Sequence, residues 1–225
     1  IGTGKYLESS DTTSSASQSY FGVWDDGANT AVNMDRSTLL QQKIVSTLDV
    51  GGFSYRLTTD YCVGAAGTKS GKDALTGAST AVCSDNWIAT GAQKGWYMDL
   101  PTSGERIAFT GIVRLAGGSS WLMELDGLTG RRLDSTPFDV NGDGKFNSNA
   151  GGDSDLVNFS SNCSSCIVSG QKPAEGGVIT TPTVIKGKPG SGKEFKYASS
   201  STGKVEKTTE SAGKTGRISW REVTP

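Results

Sequence analysis

Oxygen-bearing side chains recur at alternate positions in the segment Asp139-Val140-Asn141-Gly142-Asp143-Gly144-Lys145-Phe146-Asn147. Asp139, Asn141, Asp143 and Asn147 fall at positions 1, 3, 5 and 9, and Gly144 falls at position 6. This spacing matches a loop that wraps around one hard cation, and it points to calcium. Successive odd-numbered side chains turn inward, the glycine permits a left-handed bend, and the Lys145 carbonyl can supply position 7. A helix–loop–helix calcium site would carry a bidentate acid at position 12, where this chain has Ala150. Asp153 and Asp155 follow shortly after, so a slack Gly151-Gly152 segment could bring one of them in, with Asp153 the expected extra ligand. The calcium loop is thus assigned to residues 139–155. A plain surface turn is the competing reading, since Asn, Asp and Gly favour turns on their own account. Strict alternation with the glycine in place favours the ion.

No long amphipathic helix flanks this loop. The elements that must position it are short and alternating. Period-2 patterns bounded by Gly, Asp and Ser occur at Gly2–Leu7, Ser19–Trp24, Gly95–Leu100, Arg106–Arg114, Trp121–Leu125, Val178–Ile185, Glu194–Ala198 and Arg217–Val223. Lys43–Leu48 and Phe53–Thr58 read as a hairpin around Asp49–Gly52. Ser37–Ser46 is the single helix candidate. Ala65–Ser84 and Ala198–Lys214 read as exposed loops or hairpin tips. The class is all-β.

The chain has 225 residues, 31 of them glycine, and 34% hydrophobic residues, which fits many turns and short strands. Its net charge of −1 gives no global field to attract nucleic acid. No apolar run is long enough to span a membrane. The absence of histidine removes the commonest general base and the Ser-His and Cys-His nucleophile pairs, so the expectation is a non-enzyme. Cys62, Cys83, Cys163 and Cys166 are even in number, and proximity pairs them as Cys62–Cys83 and Cys163–Cys166 in an oxidising compartment. Closing a loop of about 20 residues is worth roughly 3 kcal/mol in the entropy model. A redox role for Cys163-Ser-Ser-Cys166 would need a helix start to lower a thiol pKa, and no helical periodicity follows it. Lys186–Arg217 is rich in lysine, but the charges are dispersed, as on a solvated surface.

Tyr20–Asp25 and Trp121–Asp126 are both aromatic-headed strands running into Asp and a Gly-containing turn, a repeat that suggests propeller blades. About three or four blades fit this length, fewer than a closed ring usually has. Ile1 reads as the middle of a strand, so the expectation is a partial ring completed by an upstream part of the same protein.

Ile1–Leu7, Gln18–Asp25, Gly95–Arg106, the Asp139–Asn147 loop and Gly216–Glu222, in this order, resemble the C-terminal domain of the PilY1/PilC family of type IV pilus biogenesis factors and tip adhesins. The resemblance implies that residues 1–225 are the C-terminal portion of a modified, quinoprotein-like β-propeller. It also implies a Ca2+ site at Asp139, Asn141, Asp143, the Lys145 carbonyl and Asn147, where the family favours an acid in place of Asn147. The implied role is a calcium-tuned effect on pilus extension, retraction or adhesion. The implied partners are minor pilins at the pilus tip and a host-cell surface ligand. The implied location is the bacterial surface, reached through the periplasm. Two other functions compete with it. One is a quinoprotein-like dehydrogenase fragment. The other is a secreted carbohydrate-binding module using Trp24, Trp87 and Trp96.

Overall fold

A computed structural model describes residues 2–3, 15–24, 27, 35–62, 70–72, 93–109, 112–115, 119–146, 155–160, 163–174 and 176–212. Among these the regular structure is thirteen strands and one 3-10 turn, Arg36–Thr38. The all-β expectation holds.

Eight strands form one sheet: β1 (Ser19–Val23), β2 (Leu40–Val50), β3 (Phe53–Thr58), β6 (Gly95–Asp99), β7 (Glu105–Phe109), β8 (Ile112–Leu115), β9 (Ser119–Met123) and β10 (Gly170–Lys172). Their order is β1-β6-β2-β3-β10-β9-β8-β7. Every pairing is antiparallel except that of β2 with β6. Strand β2 serves both halves of the sheet. Leu40–Lys43 pairs with β6, and Ile44–Val50 pairs with β3, with a register shift between Ile44 and Ser46. A bulge there bends and twists the strand, which lets a long sheet curl. The two edges approach through residues 2–3. Gly2 bridges Tyr20, the Thr3 N–H donates to the Ser19 carbonyl (2.9 Å), and the Ile107 N–H donates to the Thr3 carbonyl (3.4 Å). A side chain at Gly2 would collide with Ile107, so the close crossing requires glycine.

Both faces of the sheet are covered. Tyr55 and Leu122 pack with Phe138, Val157 and Val168 in one cluster. Leu40, Trp96 and Met98 form a second, and Leu100, Trp121 and Met123 a third. Polar residues that alternation sends inward are paired. The Gln42 amide donates to the Tyr61 and Thr129 carbonyls and accepts from the Thr59 hydroxyl. Arg56 pairs with Glu105 at 2.5 Å and stacks 4.1 Å from the Trp121 ring. Burial pushes the Arg56 pKa down, and Glu105 opposes that shift.

A second, three-stranded sheet has the order β11 (Thr183–Lys186), β12 (Lys193–Ser199), β13 (Val205–Ser211). Strands β4 (Asp60–Cys62) and β5 (Ser70–Lys72) form a small ribbon.

Several expectations need correction. Ser37–Ser46 is not a helix but the 3-10 turn followed by strand. Its Leu-Leu-Gln-Gln-Lys run suits helices by propensity, yet Leu40 and Gln42 alternate inward and are fully buried. Arg106–Arg114 is two antiparallel strands, with the reversal between Phe109 and Ile112. The stretch Ala198–Lys214 contains β13 rather than only loop. Within Val178–Ile185 only the last residues form strand β11, after an isolated bridge at Ile179. Trp96 is buried at 3% exposure, seated where side chains at Gly22 or Gly130 would strike its ring, so it is no ligand platform. Trp24 is half-buried against the same cluster. Trp87 and Arg217–Val223 lie outside the described residues. Cys163 and Cys166 are disulfide-bonded across a tight turn in which the Val157 and Cys166 backbones exchange hydrogen bonds. Cys62 is also disulfide-bonded. Its expected partner, Cys83, lies outside the described residues.

Candidate metal centre

The Asp139 loop starts from the core. Phe138 is fully buried and bridges Glu210 of β13. The Asp139 N–H donates to the Thr209 carbonyl (3.3 Å), and the Ser211 N–H donates to the Pro137 carbonyl (2.9 Å). The first loop residue is therefore fixed between the large sheet and the edge of the small one.

From there the loop folds on its own oxygens. Gly142 and Gly144 have φ of 78° and 72°, the left-handed bends that glycine allows. The Gly144 N–H donates to Asp139 Oδ2 (3.0 Å), the Asp143 N–H to Asn141 Oδ1 (3.0 Å), and the Lys145 N–H to Asp143 Oδ1 (2.7 Å). The Val140 and Asn141 N–H groups both donate to Asp155 Oδ1 (2.7 and 3.3 Å). Asp155 is fully buried and holds the base of the loop from the far end of the same stretch.

Seven buried side-chain atoms of the described residues have no hydrogen-bond partner, and one of them lies in this loop. Asp139 Oδ1 is buried and has no hydrogen-bond partner. A desolvated carboxylate oxygen left in this state is costly, and a cation relieves that cost. Asp139 and Asp155 also lie near the buried Tyr55. Burial first, then the charges of Asp139 and Asp155, push the Tyr55 phenol up to about 12. A cleft of about 750 Å³ opens onto Asp139, between Phe53, Asn141, Asn158, Lys207 and Thr209, and gives an ion a path from solvent.

The structure thus brings Asp139, Asn141 and Asp143 into one turn, with Lys145 following. The Lys145 ammonium lies 3.8 Å from Asp143 Oδ2 and is 71% exposed, so that pair is weak. Asn147 and Asp153 lie outside the described residues. Among the described residues no group of three or more His, Cys, Asp or Glu is placed to hold a metal. Only two of the expected ligands that are described, Asp139 and Asp143, are acids. The others would act through an amide and a carbonyl, which suit calcium. The sequence marked Asp155 as a possible ligand but not as the anchor of the loop backbone. It gave no sign of the Thr209 contact, which spans 70 residues.

A second Asp-led turn, Asp126–Gly130, differs. Asp126 Oδ1 accepts from the Leu128 N–H, the Thr129 N–H and the Thr129 hydroxyl (3.1, 2.8 and 2.7 Å). That oxygen is saturated by its own turn.

No family model matches the chain. Two curated proteins, each named type IV pilus biogenesis factor PilY1, from Pseudomonas aeruginosa strains PAO1 and PAK, are 26% identical to it over 219 residues. The match covers 84% of this chain and 17% of each relative, so the chain spans about a sixth of their length. The crystal structure of the Pseudomonas aeruginosa PilY1 C-terminal domain superimposes with a TM-score of 0.60 at 22% identity, covering 92% of this chain and 40% of that one. The resemblance to the C-terminal region of PilY1/PilC proteins therefore stands in sequence, and the fold is shared with the PilY1 C-terminal domain.

Proposed function

We propose that this chain is the calcium-binding C-terminal part of a type IV pilus biogenesis factor that acts by binding rather than by catalysis. The observation that carries the calcium reading is the buried, unpartnered Asp139 Oδ1 inside a loop of calcium spacing. The pilus reading rests on the PilY1 relatives and on the shared fold. Asp139, Asn141 and Asp143 would hold the ion through side-chain oxygens and Lys145 through its carbonyl. Asn147 and Asp153 are the further expected ligands. The Asp139 and Asp143 carboxylates would be neutralised by the two positive charges of a calcium ion held there. Because the Asp139 backbone is bonded to β13, filling the loop would stiffen the junction between the small sheet and the core. That linkage is how calcium would tune pilus extension, retraction or adhesion. Minor pilins and a host-surface ligand are the partners in this reading, the remaining part of the same protein completes the domain, and the site of action is the pilus tip on the bacterial surface.

The experiment is Asp139→Ala in the full-length protein of a piliated bacterium. Surface pili and twitching should change and should no longer respond to calcium chelation, while the protein level stays normal. Pili that still respond to chelation as in the parent strain would overturn the calcium-tuned role. Capture of minor pilins by the full-length protein tests the partner assignment separately.

A further inference from the structure

Gly144 has a second role besides its left-handed bend. A Cβ at this position would collide with Lys193 Nζ and lie 4.0 Å from Asp139 Oδ2. The ammonium of Lys193 therefore rests on the bare backbone of the loop at Gly144, the residue whose N–H donates to Asp139 Oδ2. Lys193 opens β12, a strand remote from the loop in sequence, and its placement is fixed by its backbone. Its carbonyl accepts from the Gly187 N–H (2.9 Å), and its Cα pairs with Ser211 of β13, two residues beyond the Thr209 that holds Asp139. Unlike Lys145, which is solvated, Lys193 is half-buried.

Resting on the calcium reading above, we infer that Lys193 is a tethered competitor of the cation, weakening calcium binding at the Asp139 loop. A fixed positive charge beside the ligands partly neutralises the carboxylates before the ion arrives and repels the ion once it is there. At the dielectric of a half-buried surface site, this repulsion corresponds to a factor of roughly 3 to 10 in affinity. The lysine thus sets the calcium concentration at which the loop fills, and it does so from the small sheet.

The test is calcium titration of the full-length protein by calorimetry, with terbium luminescence as a second readout. Lys193→Met should tighten binding about three- to tenfold, and the gap should narrow at high salt. Lys193→Arg keeps the charge and should stay within about twofold of the parent. Lys188→Met removes one charge from the neighbouring exposed turn and should also stay within about twofold. A Lys193→Met protein that binds like the parent, or a Lys188→Met protein that tightens as much, overturns the inference. A parent protein that gives neither heat nor luminescence overturns the calcium reading itself and the inference with it.

Discussion

The Asp126 and Asp139 turns use the same residue types and reach opposite ends. Each begins with Asp and contains a left-handed glycine, Gly130 with φ 67° in one and Gly144 with φ 72° in the other. In the first, a single carboxylate oxygen takes three local donors. In the second, one oxygen takes the Gly144 N–H and the other is buried with nothing to accept. An Asp-Gly turn is thus structural when its own N–H groups satisfy the carboxylate. It becomes a candidate ion site when the fold buries a carboxylate oxygen and withholds the donors.

Substitutions in the structural turn should break the fold and leave ion binding alone. Gly130→Val meets both a left-handed backbone and the Trp96 ring, whose Nε1–H donates to Gly127 of the same turn. It should destabilise the protein by about 3 kcal/mol, read by denaturant unfolding, equally with and without calcium.

The strand that pins Asp139 gives a second, pH-dependent contrast. Glu210 is buried beside Glu124, and Lys196 lies between them, 2.6 Å from Glu210 and in contact with Glu124. Burial first, then the Glu124 charge, push the Glu210 carboxyl up to about 7. A carboxyl raised in the folded state favours folding while it is protonated. Its contribution is complete below the unfolded value near 4.5 and is lost as pH rises towards about 7. Glu210→Gln should therefore flatten a fall in stability of about 2 kcal/mol between those limits, followed by thermal unfolding across pH.

Asp126→Ala should cost about 1.5 kcal/mol through the lost turn hydrogen bonds, with the calcium response intact.

How much of this was legible in the sequence follows from distance along the chain. Ser19–Val23, Phe53–Thr58 and Gly95–Asp99 show their alternation directly because their inward residues include aromatic and aliphatic side chains. Strand β13 hid because its inward positions include Glu206 and Glu210, which count as polar until Lys196 is placed beside Glu210. The hairpin of Lys43–Leu48 with Phe53–Thr58 was readable, but the start of strand β2 hid because Gln42 occupies a core position that the Tyr61 and Thr129 carbonyls, from elsewhere in the fold, make tolerable. The candidate site divides in the same way. Its ligands are local and were readable from spacing. Of its supports, Asp155 lies at the end of the same stretch and was marked as a possible ligand, whereas Thr209 and Lys193 come from distant segments that no local pattern announces.

The most direct test compares thermal unfolding of the parent, Asp139→Ala and Asp126→Ala proteins without calcium and with calcium at about ten times the parent dissociation constant. If Asp139 holds the ion, the parent and Asp126→Ala proteins gain about 1.4 kcal/mol and the Asp139→Ala protein gains nothing. A calcium gain that survives Asp139→Ala, or that disappears in Asp126→Ala, would contradict the assignment.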